Sequence, residues 1–271
     1  MINETELKQL CDLVRAAAGE ELCARFNVVG ADIKTDGSLI TAADIAMQRR
    51  LGTELVRIWP AFALLGEEMS AEQQQALLNS SRRGLWCLDP LDGTSNFAAG
   101  IPFFAVSLAL LGDGQVQAAV VYDPMRDECF SALRGLGAWL NGKRLSVAHA
   151  PSTLRECMAM VDLKRLPPAL IKALAERSPY RSQRSFGSVA LDWCWMASGR
   201  CQLYLHGGQK LWDYAAGRLV ARESGVQGGV LSAFEDQQWF EQLALGPRIA
   251  IAATDARLLA DWRAWLREAL A

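Results

Sequence analysis

The stretch Trp86-Cys87-Leu88-Asp89-Pro90-Leu91-Asp92-Gly93-Thr94-Ser95-Asn96-Phe97 decides how this chain is read. An apolar run, "LWCL", emerges into two aspartates three residues apart and then into a Gly-Thr pair. A second apolar run, "FALL" at 62–65, ends the same way in "GEE", which delivers Glu67 and Glu68. Packed strands hold the backbone still while the segments at their ends carry chemistry, so strand ends that shed carboxylates are candidate sites. Carboxylates set together repel one another and stay ionised only beside cations. No histidine pair and no CxxC pair stands at ligand spacing, and an oxygen-only donor set suits hard ions such as Mg²⁺ or Mn²⁺. Asp89 and Asp92, with the Leu91 carbonyl between them, are spaced to serve two neighbouring ions. Taken singly, each acid reads equally as a turn residue, because Asp-Pro and Asp-Gly are common turn dipeptides. The set as a whole argues for a site. Gly93 allows close approach of an anion, successive N–H groups there can nest phosphate oxygens, and the Thr94 hydroxyl can hold a water. Asp213, in "LWDYAAG", opens a predicted helix, either as its N-cap or as a ligand presented by the helix start.

Outward from this stretch the pattern alternates. Leu7, Leu10, Val14, Ala17 and Ala18 recur at helical spacing, and Asn3 with Glu6 forms the signature of a capping box. A turn-rich piece spans 34–44, and a second helix is predicted over 42–59, stopped near Pro60. Strand-like runs at 103–111 and 116–122 are joined by "GDG", and "ECFSAL" with "GAWLNGKRL" reads as another hairpin. Residues 60–148 therefore predict a largely antiparallel sheet. The second half reads as mixed: strands at "MAMVDL", "CQLYL" and "RIAIAA", and helices at "PPALIKALAER", "SVALDWCWMASG", "DYAAGRLVARESG" and "DARLLADWRAWLREAL". This order suggests stacked layers with a soft boundary near 150.

Composition narrows the class. A chain of 271 residues, 51% hydrophobic and 21% charged, is one large domain or two closely packed ones with a sizeable core. A net charge of -2 lacks the basic footprint of a nucleic-acid binder, and the arginine clusters at 82–83 and 181–184 read as solvated faces. Seven cysteines without a CxxC pair predict reduced, buried thiols in a cytoplasmic protein, with Cys87 in a structural role. The polar start "MINETELKQL" shows no secretory signal, and the longest nearly apolar run, 11 residues at 101–111, is too short to span a bilayer.

Four blocks in order, "DGSLITAAD" (36–44), "GEE" (66–68), "DPLDGTSNF" (89–97) and "WDYAAG" (212–217) running into "ESG" (223–225), resemble the inositol monophosphatase family, the Mg²⁺-dependent, lithium-sensitive phosphatases. "GSVALDWCWMASGR" and "GAWLNGKRL" fit as well, and the likeness runs from residue 5 to about 252. It implies a layered αβαβα sandwich in one compact unit. An N-terminal half, 1–150, would carry most metal ligands, and a C-terminal half, 151–271, would carry Asp213 and the substrate pocket. It implies that Glu67, Asp89 and the Leu91 carbonyl bind a first ion and that Asp89, Asp92 and Asp213 bind a second. Glu67 would also help hold a third, weaker ion and the attacking water. Thr94 would orient that water with Asp44, and the Gly93 and Thr94 N–H groups would hold the phosphate. Glu68 would support the site from behind, Lys34 would approach it on a loop, and Gly187, Ser188 and Val189 would line the leaving-group pocket. A homodimer is a further implication, and the substrate would be a small phosphorylated metabolite, by default inositol 1-phosphate.

The chain departs from the resemblance in places. Seven residues before Asp213, where inositol-specific members carry a glutamate that contacts sugar hydroxyls, stands His206. An imidazole there still accepts a hydroxyl hydrogen bond and welcomes a second phosphate better than a carboxylate does. The alternative for His206 is an exposed turn residue before Gly207-Gly208. With Lys210 at the pocket rim, His206 opens the alternative of a bisphosphate substrate, a 3′-phosphoadenosine nucleotide or fructose 1,6-bisphosphate. "ESGVQGG" also differs from the usual glutamate-alanine-glycine-glycine run, a helix C-cap variation remote from catalysis. A third reading is a partner of RNA or transcription machinery with catalysis secondary, against which the near-neutral charge argues where direct RNA contact is concerned.

Overall fold

Local capping starts the fold where the sequence places it. In the computed structural model, which describes residues 2–28, 30–33, 39–80, 84–147, 151–236 and 238–271, helix α1 (Glu4–Ala18) begins at Asn3. The Asn3 side chain accepts the Glu6 N–H at 3.0 Å, and the Glu6 carboxylate accepts the Asn3 N–H at 2.9 Å. A short π-helical turn, Gly19–Cys23, buries Leu22. The hairpin β1 (Ala31–Ile33) and β2 (Leu39–Thr41) leads into α2 (Ala42–Ile58), capped by Thr41. Lys34 lies outside the described residues, as do Asp36, Gly37 and Ser38 of the first family block.

The elements β3 (Ala63–Gly66), α3 (Ala71–Ser80), β4 (Leu85–Asp92), α4 (Thr94–Ala98), β5 (Ala105–Gly112), β6 (Gln115–Asp123), β7 (Glu128–Leu133), β8 (Gly137–Leu140) and β9 (Lys143–Arg144) follow. Their strands form a seven-stranded sheet in chain order, β3 parallel to β4 and all other pairs antiparallel. The β5–β6 hairpin turns through Asp113 and Gly114 at φ 51° and 72°, the left-handed pair that matches strand twist. The chain continues through β10 (Met158–Asp162), α5 (Pro168–Arg177), β11 (Ser182–Arg184), α6 (Val189–Ala197), β12 (Leu203–Gln209), α7 (Leu211–Ser224), β13 (Gln227–Leu231), β14 (Arg248–Ala253) and α8 (Ala256–Leu270). These strands make a five-stranded sheet of order β11-β10-β12-β14-β13.

Three separate cores show the layering. Leu10, Val14, Met47 and Leu51 of α1 and α2 pack on Trp86, Leu88, Val106 and Leu108, one face of the large sheet. The opposite face, with Cys87, Ala105 and Ala109, packs on α6 and α7, which meet Met160, Tyr204 and Ala250 of the second sheet on their other side. The far face of that sheet, with Val161, Leu205 and Ile251, is covered by Leu170 of α5 and by Leu258 and Trp262 of α8. The result is the αβαβα sandwich, each sheet buried on both faces.

Helices α6 and α7, the middle layer, approach closely at Gly217. A Cβ there would stand 2.8 Å from both the Ala190 carbonyl oxygen and the Trp193 Cβ. Gly217→Ala is therefore expected to force the two helices apart at a cost of about 1–3 kcal/mol. A thermal melt should show a Tm drop of about 2–4 °C for each kcal/mol lost. An unchanged Tm would mean that the contact yields without strain.

Candidate active site

A break in strand pairing sets the site. On β4, Asp89 pairs with Ser107 of β5, and Asp92 pairs with Ala105, so three steps on one strand face two on the other. Side chains alternate faces with period two, and an even run would put residues three apart on opposite faces. The extra residue of this β-bulge turns Asp92 back to the face of Asp89. That face is the one shared by Cys87 and Ala105, which looks toward α6 and α7. The aspartates thus lie within the strand's irregular last turn, not beyond its end as the sequence suggested.

Each carboxylate is held by a backbone or hydroxyl donor. Asp89 Oδ1 accepts the Leu91 N–H at 3.0 Å. Asp92 Oδ2 accepts the Ser188 hydroxyl at 2.6 Å and the Ala190 N–H at 2.7 Å. Ser188, proposed from sequence as a substrate contact, thus has its hydroxyl committed to Asp92. Asp213 is not the N-cap of α7. It is the third residue of the helix, and its Oδ2 accepts the N–H of the capping residue Lys210 at 2.8 Å. The middle layer is tied to the first sheet nearby, where the Ser107 hydroxyl donates to the Trp212 carbonyl at 2.8 Å. Thr94 Oγ1 donates to the Leu91 carbonyl at 2.9 Å and lies 3.3 Å from Asp44 Oδ1. The other oxygen of Asp44 is fixed by the Thr41 N–H and hydroxyl at 2.7 and 2.6 Å.

Gly93, at φ 98°, starts the short helix α4. A Cβ there would meet the Phe103 and Gly187 carbonyl oxygens at 3.1 and 3.3 Å, so only glycine fits. The Asn96 amide clamps the surrounding loops by donating to the Phe103 and Phe186 carbonyls at 2.8 and 2.6 Å.

Glu67, Asp89, Leu91, Asp92, Gly93, Thr94, Gly187, Ser188, Val189, His206 and Asp213 all line one open cavity of about 360 Å³. Glu68 does not line it; its N–H donates to Gln48 Oε1 at 3.2 Å, behind the site. Lys210 is exposed and outside the lining, and among the described residues the cations that line the cavity are Lys164 and Arg165. His206 is neither exposed nor in a turn: it is buried in β12, beside a second bulge between His206 and Gln209. Its Nδ1 accepts the Gly208 N–H at 3.1 Å, which assigns the ring hydrogen to Nε2, 3.5 Å from Asp162 Oδ2.

Sequence reasoning missed Asp162 and Asp192, which line the same cavity. Asp162 had a signal, since "MAMVD" is a third apolar run ending in a carboxylate. Asp192 interrupts the apolar helix "VALDWCWMA" and is buried with Oδ1 unpartnered. Burial, then the nearby Asp92 and Asp162, push its carboxyl well above the usual carboxylate range. The thiol expectation holds for Cys87, Cys129, Cys157, Cys194 and Cys201, while Cys11 is half-buried and Cys23 exposed. Burial raises the Cys87 thiol far out of the nucleophile range, consistent with a structural role.

Burial also pushes Asp89 and Asp213 well above the usual carboxylate range, reinforced in Asp89 by Glu67, Asp92 and Asp213, and in Asp213 by Asp92 and Glu67. Burial raises Asp92 to about 6, against the hydrogen bonds from Ser188 and Ala190 that favour its ionised form. Among the described residues no three such side chains close on a point as a ready cage, so the set is a lining of mutually repelling carboxylates. Its donors are oxygens only, buried and anionic, and they fit hard divalent cations, which would relieve the repulsion.

Residues 3–268 match the model of the inositol monophosphatase family. The chain is 36% identical over 222 residues to an inositol-1-monophosphatase of Mesorhizobium japonicum, covering 79% of this chain and 82% of that protein. It is 38% identical over 183 residues to a Nus factor SuhB of Xylella fastidiosa, covering 64% of this chain and 62%, under two thirds, of that protein. An IMPase structure from Thermotoga maritima superposes with a TM-score of 0.80 at 27% identity, covering 98% of both chains. The chain belongs to the inositol monophosphatase family. No helix among the described residues is long and apolar enough to cross a membrane.

Replacing Asp89 by the isosteric asparagine keeps an acceptor for the Leu91 N–H and removes one buried like charge. Asp89→Asn is expected to raise Tm in EDTA, by about 2–4 °C for each kcal/mol of repulsion relieved, and to lose the Tm gain that Mg²⁺ gives the wild type. If the wild type gains nothing from Mg²⁺ and the variant melts no higher in EDTA, the carboxylates are not a cation site.

Proposed function

We propose that the protein is a Mg²⁺-dependent phosphate monoester hydrolase acting on a small phosphorylated metabolite, with inositol 1-phosphate as the default substrate. The observation that carries this reading is the convergence of Glu67, Asp89, Asp92 and Asp213 on one cavity beside the Gly93–Thr94 turn. Glu67, Asp89, Asp92, Asp213 and the Leu91 carbonyl would hold two or three Mg²⁺ ions, with Mn²⁺ as a substitute. Bound there, such ions would supply an activated water and charge stabilisation for an in-line displacement.

The chain's own groups do the positioning. Gly93 leaves room for phosphate oxygens to approach the backbone, where the Gly93 and Thr94 N–H groups can meet them. The single Thr94 hydroxyl hydrogen has two acceptors in reach, the Leu91 carbonyl at 2.9 Å and Asp44 Oδ1 at 3.3 Å, and the Thr94 oxygen keeps a lone pair that accepts a hydrogen bond from the attacking water. Asp44 lies behind Thr94, outside the cavity lining, so the water's proton would reach it only by relay, Thr94 Oγ1 taking that proton as its own hydrogen passes to Asp44 Oδ1, which Thr41 holds in place. Ser188 and the Ala190 N–H at the start of α6 hold Asp92 Oδ2 in place. No covalent intermediate is required.

The bisphosphate alternative rested on His206 and Lys210 as pocket cations. His206 is tied to Gly208 and Asp162, and Lys210 is outside the lining, so those two residues do not carry it, and the described cations in the lining are Lys164 and Arg165. A second reading, a role with transcription machinery, draws on the likeness to proteins named Nus factor SuhB. A pull-down recovering no polymerase or ribosomal component would count against it.

Asp92→Asn should abolish Mg²⁺-dependent phosphate release while leaving the fold intact, because it removes a ligand charge and no volume. Asp44→Asn and Thr94→Ala should each lower kcat by about 10²–10⁴-fold. Phosphate release assays with circular dichroism decide this, and wild-type kcat in Asp92→Asn would refute the metal assignment.

A further inference from the structure

The cavity has two ends. The carboxylates of the first sheet and the Gly93–Thr94 turn occupy one, where the phosphate would sit. The rest of the ester must extend toward the wall made by the second sheet, where Asp162 and His206 face each other as cross-strand partners in the parallel pair β10–β12. That wall is built rather than incidental. The Arg165 guanidinium donates to the Gly208 carbonyl, and a Cβ on Gly207 would stand 2.1 Å from the Arg165 carbonyl oxygen. The loop after β10 is thus fitted into the bulge of β12, and the pair is fixed by backbone contacts on both sides.

Within the pair, the two side chains have different freedom. His206 is spent: Nδ1 accepts from Gly208, Nε2–H faces Asp162, and its side chain is only 6% exposed. Asp162 is 26% exposed and lines the cavity. Its Oδ1 accepts the Lys164 N–H at 2.7 Å, and its Oδ2 meets His206, which leaves each oxygen a further lone pair. The His206 imidazole, 3.5 Å away, holds this carboxyl below its ordinary range, so it is an acceptor only. A carboxylate with two free acceptor positions pairs naturally with two adjacent hydroxyls. It disfavours a second phosphate at the same place, and the neighbouring Lys164 and Arg165 disfavour an ammonium group.

We propose that Asp162, held in place by His206, is the specificity-determining residue of this chain, accepting hydrogen bonds from vicinal hydroxyls on the alcohol half of the ester. The substrate class is then the phosphate monoester of a polyol. This rests on the phosphatase reading above. His206 is a positioning residue that acts through Asp162.

The test compares kcat/KM with Mg²⁺ for inositol 1-phosphate and for p-nitrophenyl phosphate, which has no hydroxyl beside its ester, in the wild type, Asp162→Asn and Asp162→Ala. The ratio of polyol to aryl ester should fall about ten- to a hundredfold in Asp162→Ala, mainly through KM, and less in Asp162→Asn, which keeps one acceptor oxygen. A misfolded variant lowers both substrates together and leaves the ratio alone, so the ratio separates recognition from stability, and Asp162→Asn supplies a variant of nearly native shape. An unchanged ratio in both variants, with the wild type active, overturns the role of Asp162 alone. A wild type that hydrolyses neither ester with Mg²⁺ overturns the phosphatase reading and this proposal with it.

Discussion

The structure depends on holding several like-charged carboxylates against one another at a single cavity. Asp89 and Asp92 are buried, and burial together with mutual repulsion drives them, with Asp213, toward the protonated state. A flexible loop would relax such a cluster apart. Here each acid is anchored by an element with its own core: β4 by both faces of the large sheet, α7 by the packing between the sheets, and Asp92 by the start of α6. Keeping the acids together lowers stability, and a large layered core is what tolerates that cost.

The middle layer couples the two sheets. Helix α6 holds Asp92, helix α7 carries Asp213, and both lie against the second sheet, whose Asp162 and His206 form the cavity's far wall. Ser107 bonded to the Trp212 carbonyl stitches the first sheet to the start of α7, next to Asp213. Asp89 and Asp92 of the first sheet, Asp213 of α7, and Asp162 and His206 of the second sheet thus line one cavity, with the helices between fixing the separation of the sheets.

Much of this was legible in the chain. The Asn3–Glu6 box, the apolar runs of both sheets and the carboxylates that end them follow from periodicity and spacing, because burial and backbone hydrogen bonding act locally there. Other features carry little local signal. Helix α3, "AEQQQALLNS", buries only Gln74, so no apolar stripe announces it. Strand β13, "QGGVL", carries two glycines at its second and third positions that hide its alternation. Asp213 stands open in the sequence between an N-cap and a ligand presented by the helix start, because acids favour the first turn generally, and only the helix's actual first residue separates the cap from the third position. The commitment of Ser188 to Asp92 spans 96 positions, and the pairing of Asp162 with His206 depends on the order of strands in a sheet. Such long-range contacts are set by topology, which local pattern does not encode.

The most direct test of the central claim is anomalous diffraction from crystals grown with Mn²⁺ and inorganic phosphate. The expected result is at least two Mn²⁺ peaks, ligated by Glu67, Asp89, the Leu91 carbonyl, Asp92 and Asp213, with phosphate on the Gly93 and Thr94 N–H groups. Mn²⁺ bound elsewhere, or these carboxylates left without an ion at saturating Mn²⁺, would contradict it.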